Sequence, residues 1–323
     1  MSGLVGHTMY AVLAAEAAEQ RGISIVPTLR EHFASYLTGA YLGCDIQVMP
    51  EAVCVDTGKE VGFGTVPIDK SPITGGAVKP WSLEHDGRHY TPREIHQLFY
   101  GRAHLVFGWF GDDAKLAVPW DHLADYCALV VRDLRQRADF TGRSLAYVFG
   151  WMVHIVGDSL IKSIRSGIKM QLLDGTYTPR NRPIQDLFTF HKIGIEERGA
   201  PWAKWFEEMA ATPVEPVQPH YMRIADKNGA LGGMYAAGWR PERAGLLDAV
   251  LKENRRWLKH HAADVLRDMT LTNGTEVSGN VSKATGGLTY PRMMEMAEGS
   301  GMRQTLATIA EEAASLFEKV QAH

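Results

Sequence analysis

Residues 144–161 read SLAYVFGWMVHIVGDSLI. On hydropathy alone this stretch resembles a short membrane span, yet it carries His154 and Asp158 inside its apolar run. The two lie four residues apart, so a helix stacks them on one face. Tyr147, Trp151, Lys162 and Arg165 fall near the same stripe. The remaining faces are apolar, the pattern of a helix enclosed by protein on all sides. An ionised carboxylate buried there without a partner costs at least several kcal/mol, so something must neutralise Asp158. A metal shared with His154 does so, since imidazole and carboxylate are ordinary ligands for zinc or iron. A His154–Asp158 hydrogen bond, or pairing of Asp158 with Lys162 one turn on, does so too.

Working outward, the chain is mostly helical in texture. TMYAVLAAEAAEQRG predicts a helix stopped by Gly22, and TLREHFASYLTGAYLG a second one ending near Cys44. From 46 to about 95 the chain turns rich in Gly, Pro and Thr, with β-like runs EAVCV and EVGFGTV, and reads as a hairpin-bearing insertion. Helical patterns return in PREIHQLFYGRAHLVFGWF, DHLADYCALVVRDLRQRA and the stretch just quoted, then in DLFTFHKIGIEERG and APWAKWFEEMAA. After the Pro-rich break TPVEPVQP, RAGLLDAVLKENRRWLKHHAADVLRDM is strongly amphipathic, GTEVSGNVSKATGGLTYP reads as a loop, and MRQTLATIAEEAASLFEKVQA as a closing helix. The expected architecture is mainly α, a multi-helix bundle forming one domain over 1–323. The insertion at 46–95 is its β excursion, and helices over 201–323 cover a cleft.

Composition narrows the function classes. The chain has 323 residues, 45% apolar and 22% charged, with a formal net charge of −3. That is enough apolar material for a core without metals or disulfides as staples. No basic block suggests an extended nucleic-acid surface. Three cysteines, Cys44, Cys54 and Cys127, show no paired spacing, which argues against a disulfide framework. With no signal-peptide pattern at the start and no membrane span expected, the default expectation is a cytoplasmic protein. Oligomeric state is not encoded in any motif.

Several short motifs, taken in order, carry a resemblance. GWMVHIVGDSLIKS resembles the helix of the zinc-dependent phospholipase C family, which also includes related single-strand nucleases, in which an aromatic-flanked His precedes an Asp by four. GHTMYAVLAAEAA resembles that family's first helix, which opens with a metal-binding His and maps to His7. LTGAYLGCDI resembles the segment whose Asp bridges metals, mapping to Asp45. AHLVFGWF resembles the segment supplying a further His, mapping to His104. DLFTFHKIGIEE resembles the late His-plus-Glu helix, mapping to His191 and Glu196. The likeness covers about residues 1–200. It implies a helical bundle with up to three zinc ions in a cleft, binding a phosphodiester and activating water.

The chain departs from that pattern at two points. Lys162 stands near the position where many members carry another His, and a protonated amine is no ordinary ligand. Ile195 stands four residues after His191, leaving Glu196 one step round the helix. The resemblance therefore implies one or two divalent ions, zinc or alternatively iron, rather than three.

The expected chemistry is hydrolysis of a phosphoester in a small, soluble, anionic substrate. Metal-bound water is a nucleophile near neutral pH, Asp45 is the candidate proton acceptor, and Lys162 and Arg165 are candidates to hold the anion. Alternatives are a lyase, a cyclase or an iron-dependent oxidation on the same fold, or a helical binding protein with a relic site. Other histidines rank lower. His32 reads as a packed or surface residue, His85 and His89 as loop residues, His122 as a helix cap, and His260 and His261 as solvated on a charged helix.

Overall fold

The structure, a computed structural model, describes residues 3–46, 48–63, 68–104, 118, 120–161, 181–213, 217 and 243–323. Those residues form a mainly α fold. Helix α6 (Gly142–Ile161) starts where Thr141 Oγ1 accepts from the Ser144 amide, a short-range N-terminal cap. It is the described helix that is long and apolar enough to cross a membrane, and 94% of that apolar window is buried inside the fold. It is thus a central core helix, as its polar pair requires. Around it pack α1 (Leu4–Gln20), α3 (Phe33–Leu42), α5 (Leu123–Arg135) and the closing helix α12 (Met302–Ala322).

The closest approach is between α3 and α6, and glycine makes it possible. A Cβ added at Gly39 would lie 2.0 Å from the Tyr147 carbonyl oxygen, and one at Gly150 would lie 2.0 Å from the Tyr36 carbonyl oxygen. No side chain fits there, so the two backbones touch. This contact fixes the height of α3 against α6 and brings the Ala40 carbonyl to His154.

Helix α1 is buried on every side from Leu4 to Ala14, and it ends at Gly22, whose φ of 66° is left-handed. The helix expected over Thr28–Cys44 is broken. The short helix α2 (Val26–Glu31) precedes α3, and His32 turns the chain between them with φ −115° and ψ 39°. The His32 ring covers Gly142, where a Cβ would meet Nε2 at 2.7 Å, so the break lets the chain round the start of α6.

All strands of the described residues lie between Pro50 and Tyr90. β1 (Pro50–Cys54) is flanked by β2 (Glu60–Phe63) and β3 (Val78–Pro80), both antiparallel, with Ala52 opposite Val61 and Pro80. EAVCV and EVGFGTV thus contribute the first two strands. β4 (Leu83–His85) and β5 (Arg88–Tyr90) form a tight hairpin through Asp86 and Gly87, both at positive φ, the two-residue turn that matches strand twist. His85 and His89 therefore sit on hairpin strands rather than in a loop. Phe63 packs on Trp257 and His260, which docks the sheet against a long helix.

That helix is α9 (Arg243–Met269). Helix α4 (Pro92–His104) opens with a reciprocal cap in which the Thr91 amide donates to Glu94 and the Glu94 amide to Thr91 Oγ1. Its other end delivers His104. Helix α7 (Asn181–Phe188) continues into a π-helical segment, Thr189–Glu196, and α8 spans Trp202–Ala211. The stretch expected as a loop after α9 contains α10 (Gly279–Thr285), because Ser278 caps the Val281 amide and Gly286 closes the helix at φ 73°. α11 (Tyr290–Gly299) leads into α12.

Candidate metal centre

Four elements converge on one buried spot. α1 supplies His7 from its first turn, the end of α3 is followed by Cys44 and Asp45, the last residue of α4 is His104, and the middle of α6 gives His154 and Asp158. All six are buried. The Asp158 carboxylate lies among three imidazoles: 3.4 Å from His7 Nε2, 3.4 Å from His104 Nε2 and 3.9 Å from His154 Nε2. The His7 and His154 rings stack face to face, their centroids 3.6 Å apart and planes within 8°. His104 Nε2 and His154 Nε2 are 3.1 Å apart.

The backbone sets the tautomer of His154. Its Nδ1 is 2.7 Å from the Ala40 carbonyl oxygen. A carbonyl only accepts, so Nδ1 carries the proton and Nε2 presents a lone pair to the cluster. Burial, the largest effect, pushes the His154 pKa well below its usual value, and the neighbouring His7 pushes the same way. His154 is thus neutral, the form that binds metals. Burial likewise raises the Asp45 pKa, with His7 opposing and Asp158 reinforcing the rise.

Two overlapping donor groups result, each with its atoms within 4.8 Å of one another: His7, Asp45 and His154, and Cys44, His104 and His154. His154 belongs to both. Among the described residues, buried groups inside the cluster lack hydrogen bonds: neither ring nitrogen of His7 makes one, nor does Asp45 Oδ1. The 3.4 Å approach of His7 Nε2 to Asp158 is ion-pair distance without hydrogen-bond geometry. Such orphaned donors and acceptors are costly in a dry core, and a cation ligated by them removes the cost. The N, O and S donor set suits zinc or another first-row transition metal, so a metal site is compatible with the residues present.

Of the sequence-predicted residues, the fold brings together His7, Asp45, His104, His154 and Asp158. It does not bring His191 and Glu196 to them. His191 Nε2 donates to the Met269 carbonyl at 2.8 Å, and its ring meets Phe190 and Tyr290 edge-on. Glu196 is exposed and paired with Lys192 at 2.8 Å. Within the π-helical segment His191 turns to Met269 of α9 and Tyr290 of α11 rather than to the cluster, and Glu196 turns to the surface. Lys162 and Arg165 lie outside the described residues.

Two residues were missed. Cys44 marks only a helix end in the sequence, although it is adjacent to Asp45; its thiol donates to the Ala103 carbonyl at 3.1 Å, the same oxygen that accepts from the Trp151 indole. His261 was expected in solvent and is buried, 2.9 Å from the Tyr41 hydroxyl, with its pKa pushed down to about 3 by burial. The pattern of α9 carried the missed signal: His261 follows Leu258 at i+3 and precedes Val265 at i+4 on the apolar stripe, whereas His260 does not. Compared with protein-family models, with curated proteins and with solved structures, the chain matches none of them.

Proposed function

We propose that this chain is a metal-dependent hydrolase acting on a phosphoester of a small soluble substrate. The observation that carries the reading is the convergence of three neutral-capable imidazoles and two carboxylates, with His7 and Asp45 atoms left without hydrogen bonds. The motif order that resembles zinc-dependent phospholipase C supports the reaction class. In this reading His7, Asp45 and His154 hold one divalent ion, Cys44 and His104 extend the site toward a second, and Asp158 neutralises and orients the imidazoles around it. A divalent ion supplies Lewis acidity, which makes water nucleophilic near neutral pH and stabilises charge on a phosphoryl oxygen. Asp45 is the candidate proton acceptor, a carboxylate at the edge of the donor group that would hold the ion and its water. Ala40, through its carbonyl, keeps His154 in the ligating tautomer.

The trio His7, Asp45 and His154 also favours a second reading. Two imidazoles and one carboxylate form the donor set of non-haem iron oxidation sites as well as of zinc hydrolases. Metal identity and a phosphodiester assay separate them. Zinc with turnover of bis(p-nitrophenyl) phosphate, lost in Asp45→Asn, is the expected result. Iron, with no phosphodiester turnover by the metal-loaded protein, favours oxidation and contradicts the hydrolase.

A further inference from the structure

Arg255 breaks the pattern of the helix that carries it. On α9, Lys252 pairs with Asp248 at 2.7 Å, Arg256 with Glu253 at 3.5 Å and Arg267 with Asp264 at 2.7 Å. Arg255 pairs with nothing among the described residues. All three of its guanidinium nitrogens are buried without a hydrogen-bond partner, while the residue as a whole remains partly exposed. Long cationic side chains normally bury the stem and keep the head in water; Arg255 does the opposite.

Burying a guanidinium without a counter-charge is costly, and burial pulls its pKa down to about 10, with Tyr147 opposing. Tyr147 lies on the α6 stripe that also carries Trp151, His154 and Asp158, two turns before His154. The preceding residue, Asn254, is buried too. Its amide nitrogen donates to the Asp45 backbone carbonyl at 3.4 Å, and its Oδ1 has no partner among the described residues. Against α6, beside Tyr147, there is thus a five-donor planar cation lacking an anion among the described residues, and the next residue back on the helix is an amide that reaches the Asp45 backbone.

We propose that Arg255 is an anion-binding residue, taking a phosphate or carboxylate oxyanion of the ligand in a forked contact. An oxyanion supplies the charge and the acceptors that the guanidinium lacks, and a planar fork matches both anions. The anion site stands on Arg255 itself; the preference for phosphate over carboxylate rests on the hydrolase reading.

The test is thermal melting of the 323-residue chain, metal-loaded and after chelator treatment, with inorganic phosphate or acetate, for wild type, R255M and R255K. Phosphate is expected to raise the wild-type melting temperature in both metal states. R255M, which keeps the volume and removes the charge, loses the shift; R255K, which keeps the charge without the fork, loses most of it. A phosphate shift equal in wild type and R255M, or no shift by either anion in wild type, overturns the proposal. A shift abolished by the chelator yet untouched by R255M overturns the Arg255 site while leaving the metal reading standing. A shift by acetate alone, lost in R255M, retains the anion site and contradicts the phosphoester. Should R255M not fold, R255K decides: phosphate affinity within about twofold of wild type overturns the forked contact.

Discussion

His154 is the residue on which the site turns. Its Nδ1 proton is committed to Ala40, its Nε2 belongs to both donor groups, and its ring stacks on His7. His154→Ala is therefore expected to remove all bound metal, whereas Cys44→Ala removes no more than the share held with His104. Metal analysis of the two purified variants checks this, and full metal content in His154→Ala would contradict the shared-ligand geometry. His154 and Asp158 were legible because a polar pair at helical spacing inside an apolar run demands a partner. Cys44 was not legible, because a lone cysteine after a helix carries no spacing signal. His261 was missed because two adjacent histidines on a charged helix give opposite answers depending on a 100° rotation. Its folded pKa lies near 3, below the value near 6.5 of the unfolded chain. Between those values the unfolded chain binds the extra proton, so stability is intact above about pH 6.5 and falls as pH drops through that window. The slope is about 1.4 kcal/mol per pH unit for one such proton. Urea unfolding from pH 7 to 4 should show a shallower loss in His261→Gln; equal slopes would mean His261 does not titrate this way.

At the scale of elements, the α3–α6 contact does the positioning. Gly39 and Gly150 allow backbone to meet backbone, and that approach carries the Ala40 carbonyl to His154. Gly150→Ala is expected to destabilise the fold by about 3 kcal/mol, at the upper end of overpacking costs, and Gly39→Ala by a similar amount. Both should also weaken metal binding, because moving α3 releases the tautomer lock. Denaturant midpoints and a competitive metal titration measure the two effects; a Gly39→Ala protein of wild-type stability would show that the helices are not packed this tightly. Glycines in GWMVH and LTGAY are visible in the sequence, but which backbone they face is a tertiary fact. The same holds for the break at His32 and for α10, where a Ser278 cap and a Gly286 stop outweigh a loop-like composition. The π-helical segment shows the limit of motif spacing: His191 and Glu196 resemble a ligand pair, yet a carbonyl of α9 and a tyrosine ring of α11 occupy His191, and Glu196 is exposed and paired with Lys192.

At the scale of the molecule, a mainly α fold whose strands, among the described residues, lie in one excursion followed from hydrophobic periodicity and turn chemistry, which act locally. What the periodicity does not carry is how α1, α3, α4 and α6 meet, and the meeting of those helices makes the site. Ligation across four elements ties metal binding to folding. Removing the metal should lower the melting temperature, with recovery on adding zinc back; a melting curve indifferent to chelation would place any bound metal outside the core. The most direct test of the central claim is elemental analysis of the protein purified without added metal. The account predicts about one or two equivalents of zinc or iron per chain, bound by deprotonated ligands in the folded core. Less than about a tenth of an equivalent of every transition metal, with no uptake on titration, would contradict it.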